Sequence, residues 1–245
     1  MPNSIKEYRK LVEQPWGRMF YEMIYKQLQL PNHPKLNILD YGAGFCVTAN
    51  HYAKHNNVTA IEPSKEMSDL RVIDNEYTFS LGGIELLKTI QSDSYDIVIC
   101  HNVLEYTDDK SEILRELSRI LKPNGKLSIV KHNLKGRIIS NAVLKDNPKS
   151  ALELLRNDFD NAQNMFGNRD TYDNKSLLEL ADAFSLNCEN IFGIRTLFAL
   201  SSNNNIKYTD EWYKNMLELE MKVCNIDEYK NIAFFNHLIF TKDAE

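Results

Sequence analysis

LNILDYGAGFCVTANHYAKHNNVTAIEPS, residues 36–64, carries the pattern on which the fold turns. Leu36 to Tyr41 is a short apolar run, predicted to be a strand buried in a sheet. Gly42 and Gly44 then mark a tight turn where backbone must pass close to something. Thr48 to Lys54 reads as a helix, and Val58 to Ile61 as a second strand with Glu62-Pro63 at its tip. A strand, a glycine turn, a helix and a strand ending in an acid outline half of a nucleotide-binding unit.

The same alternation continues downstream. Ser64 is placed to cap a helix running to about Arg71. Tyr77 to Ser80 is a weak third strand, followed by a helix over Ile84 to Ile90. Tyr95 to Cys100, YDIVIC, is a continuous apolar run of the kind buried on both sheet faces. Ser111 to Leu121 is amphipathic, closed by Pro123-Asn124-Gly125, and Lys126 to Val130 makes a fifth strand. Upstream, Ser4 to Leu30 is predicted helical, with Trp16, Phe20, Ile24 and Leu28 on one face. Lys135 to about Arg169 is polar and helix-forming, with little strand character. Asn174 to Phe184 reads as a helix, Ile191 to Leu200 as a strand, Thr209 to Cys224 as a helix, and IAFFNHLIFTK as a final strand.

Such alternation implies an α/β fold: a Rossmann-like, doubly wound, mostly parallel seven-stranded sheet with an antiparallel edge strand and a helical lid. The expected division is an N-terminal helical cap over 1–34, a cofactor-binding core over 35–133, a helical insertion over 134–172 and completion of the sheet over 173–245.

Composition narrows the classes. The 245 residues carry a net charge of −5, which gives no global basic footprint for non-specific nucleic-acid binding. Cys46, Cys100, Cys188 and Cys224 lack the spacing of a zinc site, so no metal is expected. No apolar stretch has the length of a membrane span or the form of a signal core, and the expectation is a reduced cytoplasmic protein.

The turn itself is D-Y-G-A-G-F-C, Asp40 to Cys46. Dinucleotide turns continue G-x-G-x-x-G/A, whereas Val47 here would crowd helix–sheet packing, and the P-loop Gly-Lys-Ser/Thr is absent. Asp40 before the turn repels a pyrophosphate and suits a ligand with a cationic group near its ribose. Glu62 stands where a ribose-diol acceptor belongs, and a carboxylate can accept both hydroxyl protons of a diol.

Taken with YDIVICHNVLEY (95–106) and LSRILKPNGKLSIV (117–130), these residues resemble the class I S-adenosylmethionine-dependent methyltransferases. The likeness covers Leu36 to Asn133. A narrower one, carried by CHNVLEY, HNLKG (132–136), GIRTLF (193–198) and MLELEMKVC (216–224), is to the bacterial group containing the tRNA 5-carboxymethoxyuridine methyltransferases.

The resemblance implies S-adenosyl-L-methionine as cofactor and S-adenosyl-L-homocysteine as product. It implies donor contacts from Asp40, Gly42, Ala43 and Gly44, with Glu62 and Pro63 at the ribose and Met67 over the adenine. Gly83 and Ile84 fall at the adenine edge, where the usual acid is missing; Ser80, Gly82 and Glu85 are the nearby substitutes. Arg18 corresponds to an arginine that holds the cofactor's carboxylate in the narrower group. Each has a plainer alternative: Asp40 can cap the turn after it, and Met67 can be core filler.

His101, at the end of the fourth strand, is expected to line the pocket against the cofactor and is a candidate for proton transfer. His132 and Asn133 end the fifth strand as candidate acceptor contacts. Arg195, in the apolar IFGIRTLFAL, needs a carboxylate from the protein or from the substrate. It is a candidate catalytic and substrate-binding residue. Trp16 and Trp212 read as core anchors.

The implied reaction is in-line methyl transfer, which needs alignment and exclusion of water and no metal or covalent nucleophile. The Asn/Asp-Pro-Pro-aromatic tetrapeptide of exocyclic-amine methylation is absent, and so is a Pro-Cys dipeptide. An oxygen or a less demanding nitrogen remains as acceptor. That acceptor is tRNA, where Lys131, Lys135, Arg137, Lys145 and Lys149 offer a basic run, or a small molecule. A non-catalytic S-adenosylmethionine-binding regulator is the remaining alternative. The chain is expected to be a monomer or a homodimer with no membrane partner.

Overall fold

The computed structural model describes residues 4–31, 34–157, 162–164, 167–169 and 172–244. The strands are β1 (Asn37–Tyr41), β2 (Asn57–Glu62), β3 (Thr78–Leu81), β4 (Tyr95–His101), β5 (Leu121–His132), β6 (Ala162–Asn164), β7 (Gly167–Arg169), β8 (Leu186–Ile194) and β9 (Phe235–Lys242). Seven of them form one sheet in the order β3-β2-β1-β4-β5-β9-β8, and β6 and β7 pair separately. The pairs β1–β2, β1–β4, β2–β3 and β4–β5 are parallel, and the sheet is mixed, with one antiparallel edge pair. This is the Rossmann-like architecture expected from the alternation.

The chain runs from β1 outward through β2 and β3, then returns to β4 on the other side of β1. The strand order therefore reverses between β1 and β4, and the crevice outside their carboxyl ends is where such sheets bind ligands. Register places Asp40 opposite Ala60 on one side and Ile99 on the other, so the last residues of three strands reach that edge together.

Helices α1 (Ile5–Val12) and α2 (Pro15–Leu28) open the chain. The expected single helix over Ser4 to Leu30 is thus broken at Glu13-Gln14. Pro15 is the cause: it lacks an N–H and its ring clashes with the preceding turn, so it starts a new helix at the first position instead. Next come α3 (Val47–Ala53), α4 (Lys65–Ser68), α5 (Ile84–Leu87) and α6 (Lys110–Ile120). Asp109 caps α6 by accepting from the Glu112 N–H at 2.8 Å, and Ile113, Leu114, Leu117 and Ile120 are its buried face. Pro123-Asn124-Gly125 does not end this helix. Leu121 already pairs with Tyr95, and Pro-Asn-Gly falls in a register shift of β5 where Asn124 takes φ 61°.

The stretch after β5 holds α7 (Leu134–Ile139), a π-turn (Ser140–Leu144) and α8 (Pro148–Asn157), and then β6 and β7. The expectation of little strand character before Arg169 is corrected there. Asn and Gly in AQN and GNR are poor helix formers, and the two segments pair antiparallel with Asn164 opposite Gly167. Then α9 (Asn174–Asp182) precedes β8, and α10 (Leu197–Leu200), α11 (Asp210–Val223) and α12 (Asp227–Lys230) precede β9.

The expected strand over Ile191 to Leu200 is also corrected. It begins earlier, at Leu186, and stops at Ile194, because Arg195 sits at φ 59° and turns the chain. Glu220, fully buried on α11, accepts from the N–H groups of Thr196 at 3.0 Å and Phe198 at 2.7 Å. Those donors are thereby removed from any continued ladder, and 197–200 coils into α10.

By packing, the chain falls into two compact units. One comprises 30–130, 174–190 and 238–245, with a core that includes Ile38, Leu39, Val98, Ile99, Leu114, Leu117 and Leu127. The other comprises 1–29, 131–173 and 191–237, built around Met19, Met23, Ile24 and Phe198. No helix among the described residues is long and apolar enough to cross a membrane.

Candidate functional site

The turn between β1 and α3 is held by main chain. The N–H groups of Gly42 and Ala43 both donate to the Ile61 carbonyl, at 2.8 and 3.0 Å, so the turn is stapled to the end of β2. Gly42 (φ 72°) and Gly44 (φ 56°) lie in the left-handed region. A Cβ on Gly42 would stand 2.3 Å from Val103 Cγ2, and one on Gly44 would stand 2.9 Å from Met67 Cε. Only glycine lets the loop after β4 and the first turn of α4 close this tightly on the backbone.

Glu62 is buried at the tip of β2 and holds both flanks of the site. One carboxylate oxygen accepts from the Gly44 N–H at 2.7 Å and the other from the Ser64 N–H at 2.7 Å. Burial raises its pKa, and these two hydrogen bonds oppose the rise. Each oxygen has a second lone pair, so the carboxylate can still accept from a diol.

Asp40 is buried at the end of β1, with one carboxylate oxygen accepting from the Ala49 N–H at 3.0 Å. Cys46 begins α3 without a side-chain cap, and Asp40 supplies from the strand the acceptor that the helix start lacks. The capping role is therefore present. Burial pushes the Asp40 pKa up to about 7, opposed by the Ala49 hydrogen bond and assisted by the charge of Glu62.

At the end of β3, Gly83 starts α5, and its N–H donates to Glu85 Oε1 at 2.7 Å. Glu85 is exposed in the first turn of α5, its carboxylate turned back to the Gly83 amide, and Ile84 stands beside it. Pro63 separates Glu62 from Ser64, whose hydroxyl accepts from the Met67 N–H at 3.3 Å and so positions Met67 over Gly44. His101 ends β4 half-buried, with Nε2 2.8 Å from Ser128 Oγ on the neighbouring strand. The unit that contains β1 to β4 thus brings together Asp40, the glycine turn, Glu62, Met67, Gly83 and His101.

The remaining expected residues belong to the other unit. Arg18 pairs with Glu22 at 2.8 Å, which raises its pKa, and its guanidinium lies 4.2 Å from the Tyr213 ring centroid. The side-chain amide of Asn133 donates to the carbonyls of Asn231 and Ala233, at 3.0 and 2.8 Å, and its oxygen accepts from the Lys135 N–H. Those bonds tie β5 to the segment before β9 and occupy the groups an acceptor would use. The His132 ring packs against that of Phe235, tilted by 50° with centroids 4.8 Å apart. Lys131 is buried, with its ammonium over the Tyr172 ring, so the expected basic run does not all face outward.

Arg195 lines a cavity of about 370 Å³ together with Trp16, Ser140, Phe198, Lys207 and Phe234. Its Nε is buried, and Arg195 forms no hydrogen bond or ion pair among the described residues. Burial lowers its pKa to about 10, against the charge of Glu220. No internal salt bridge to Arg195 is formed among the described residues.

Lys207, Phe234 and the π-turn were not singled out by sequence reasoning. Lys207 follows a polar Asn-rich loop with no periodicity, and a π-turn has no residue signature. Val103 was equally silent, because its contact with Gly42 joins loops far apart in sequence.

A family described as a methyltransferase domain matches residues 39–129. The chain is 33% identical over 119 residues to an arsenite methyltransferase of Rattus norvegicus, covering 41% of this chain and 32% of that one. It is 24% identical over 160 residues to a ubiquinone biosynthesis O-methyltransferase of Vibrio parahaemolyticus, covering 57% and 67%. The chain thus spans from about a third to about two thirds of these relatives' lengths. An S-adenosylmethionine-dependent methyltransferase from Mesorhizobium loti has the same fold, with a TM-score of 0.58 at 13% identity, over 91% of this chain and 98% of that one.

Proposed function

We propose that the chain is a class I S-adenosylmethionine-dependent methyltransferase, as the match of residues 39–129 to a methyltransferase domain supports, and that it transfers a methyl group from S-adenosylmethionine to an anionic oxygen or nitrogen acceptor. The observation that carries the donor half is Glu62, whose buried carboxylate holds the Gly44 amide beside the glycine turn. The residues fit the donor: the turn leaves room only for backbone, and Glu62 keeps lone pairs for a ribose diol. Met67 lies over the turn, where it can cover an apolar ring face. When bound, the donor supplies an activated methyl on sulfur.

The protein's part is to orient the reactants and exclude water. His101, hydrogen-bonded to Ser128, is the side chain at the end of β4 that could hold or move a proton. A carboxylate acceptor would need no base, only orientation. Arg195 supports the anionic reading, since its charge has no ion-pair partner among the described residues and it lines a cavity.

The narrower family likeness makes a modified wobble uridine of tRNA the first acceptor to test, and a small anionic molecule the second. A non-catalytic donor-binding protein is the reading furthest from the intact donor turn. Nucleoside analysis of tRNA from a deletion strain, with labelled donor added back together with the purified chain, separates them. Recovery of a methyl ester on a tRNA nucleoside supports the first acceptor. Unmodified tRNA and labelling of a small-molecule fraction support the second.

A further inference from the structure

The amino ends of β1, β2 and β3 enclose another cavity, of about 780 Å³, at the sheet edge opposite the donor turn. Its lining residues all fall within 30–130, so it belongs to a single unit. Asn37 on its floor and Tyr41 beside the glycine turn are the two ends of β1, about 13 Å apart at the rise of an extended strand. Methyl transfer gives this edge no role.

The floor is polar where the fold calls for apolar residues. Strands buried on both faces are continuous apolar runs, but β2 starts as Asn57-Val58-Thr59-Ala60. Val58 and Ala60 are buried on one face, and Asn57 and Thr59 alternate with them onto the other, exposed and half-buried. The neighbouring strands match them in register, with Asn37 opposite Asn57 and Thr78 opposite Thr59. Asparagine is disfavoured in strands, yet two stand side by side here, Asn57 Nδ2 donating to Asn37 Oδ1 at 3.1 Å. Among the described residues that bond leaves the Asn37 amide hydrogens, the Asn57 amide oxygen and the Thr59 and Thr78 hydroxyls to hydrogen-bond outward.

The walls carry charge. Lys35, on the approach to β1, and Lys54, just after α3, line the cavity and form no ion pair among the described residues. Glu76 is the carboxylate on the lining, and two cations against it leave a single positive charge. Asn56 holds the two lysine-bearing segments together: its Oδ1 accepts from the Leu36 N–H at 3.1 Å and its Nδ2 donates to the Tyr52 carbonyl at 3.0 Å. The cations are thus anchored on a braced wall above a floor of neutral amides and hydroxyls. A bare phosphate would leave that floor unused, and an uncharged sugar would leave the lysines unpaired. A phosphorylated sugar uses both, with charge-assisted hydrogen bonds at one end and neutral ones at the other. The volume is that of a small-molecule site.

We propose that this cavity binds a free sugar phosphate, with Lys35 and Lys54 at the phosphate and Asn37, Asn57, Thr59 and Thr78 at the sugar hydroxyls. The site is separate from the donor turn, and the proposal does not rest on the methyltransferase reading.

The test is calorimetry on the full chain with ribose 5-phosphate and glucose 6-phosphate, each compared with its parent sugar and with inorganic phosphate. At least one sugar phosphate should bind at least about tenfold more tightly than its parent sugar and than inorganic phosphate. The double variant Lys35→Met, Lys54→Met should weaken that binding by about tenfold or more, and Thr59→Val, which keeps the side-chain shape, by about threefold. Both should unfold at the wild-type urea midpoint, which separates lost binding from a folding defect. An oligouridylate strand should bind no more tightly than ribose 5-phosphate. Absence of binding by both sugar phosphates, equal binding of inorganic phosphate, or unchanged affinity in either variant would overturn the proposal. Tighter binding of the oligouridylate would overturn it too, and would give this face to single-stranded RNA.

Discussion

Glu62 is one carboxylate with two structural duties and one proposed functional duty. It holds the Gly44 and Ser64 amides in the unliganded protein, and a ribose diol would use its remaining lone pairs. Glu62→Ala releases two backbone donors as well as the ligand contact. It should weaken S-adenosylmethionine binding by about 1–3 kcal/mol, measured by calorimetry. Asp40 gives a different signature. Its pKa in the folded chain is about 7, against about 4 in the unfolded chain. Its contribution to stability is fully present below about pH 4, where both states are protonated. As the pH rises from there to about 7, the unfolded chain gives up its proton first and that contribution is lost. Asp40→Asn keeps an oxygen for the Ala49 amide and has no charge to bury. The urea midpoint of the wild type relative to Asp40→Asn should therefore fall across that window and level off above it. A rise across the same window would mean that Asp40 is stabilised as the anion.

Two turns show how elements are closed, and how much of that the sequence discloses. The β1–α3 turn is legible because Gly42 and Gly44 stand after an apolar run and before a helix-like segment. What the sequence hides is the partner: Val103, on the loop after β4, fills the space above Gly42. Gly42→Ala should cost about 2–4 kcal/mol in urea denaturation, from a left-handed backbone and an overpacked contact. Val103→Ala in the same chain should recover the contact part and leave the backbone part. The turn after β8 is the opposite case. IFGIRTLFAL reads as one extended run, and nothing local says that it breaks at Arg195. The break depends on Glu220, far along the chain on α11, which takes the Thr196 and Phe198 amides. Glu220→Ala leaves those buried donors without an acceptor and should destabilise the protein by about 3 kcal/mol, whereas Glu220→Gln should cost less.

At the scale of the whole molecule, the sheet was legible because buried parallel strands are continuous apolar runs separated by helices of clear period. The placement of Asp40, Gly42, Gly44 and Glu62 followed from it, since they sit at strand ends whose place the topology dictates. The Arg195 cavity did not follow, because its lining comes from α2, the π-turn, the segment after β8 and the residue before β9. Only folding brings those together, and each is an ordinary residue in its own stretch. The units also cut across sequence order, so that residues 1–29 pack with 131–173 and 191–237. No linear reading of composition marks such a division. The donor site carries the whole account, and it is tested most directly by calorimetric titration of the wild-type chain and Glu62→Ala with S-adenosylmethionine and with NAD. The account predicts saturable S-adenosylmethionine binding that weakens in Glu62→Ala, with no NAD binding in either chain. Saturable NAD binding without S-adenosylmethionine binding in the wild type would contradict it.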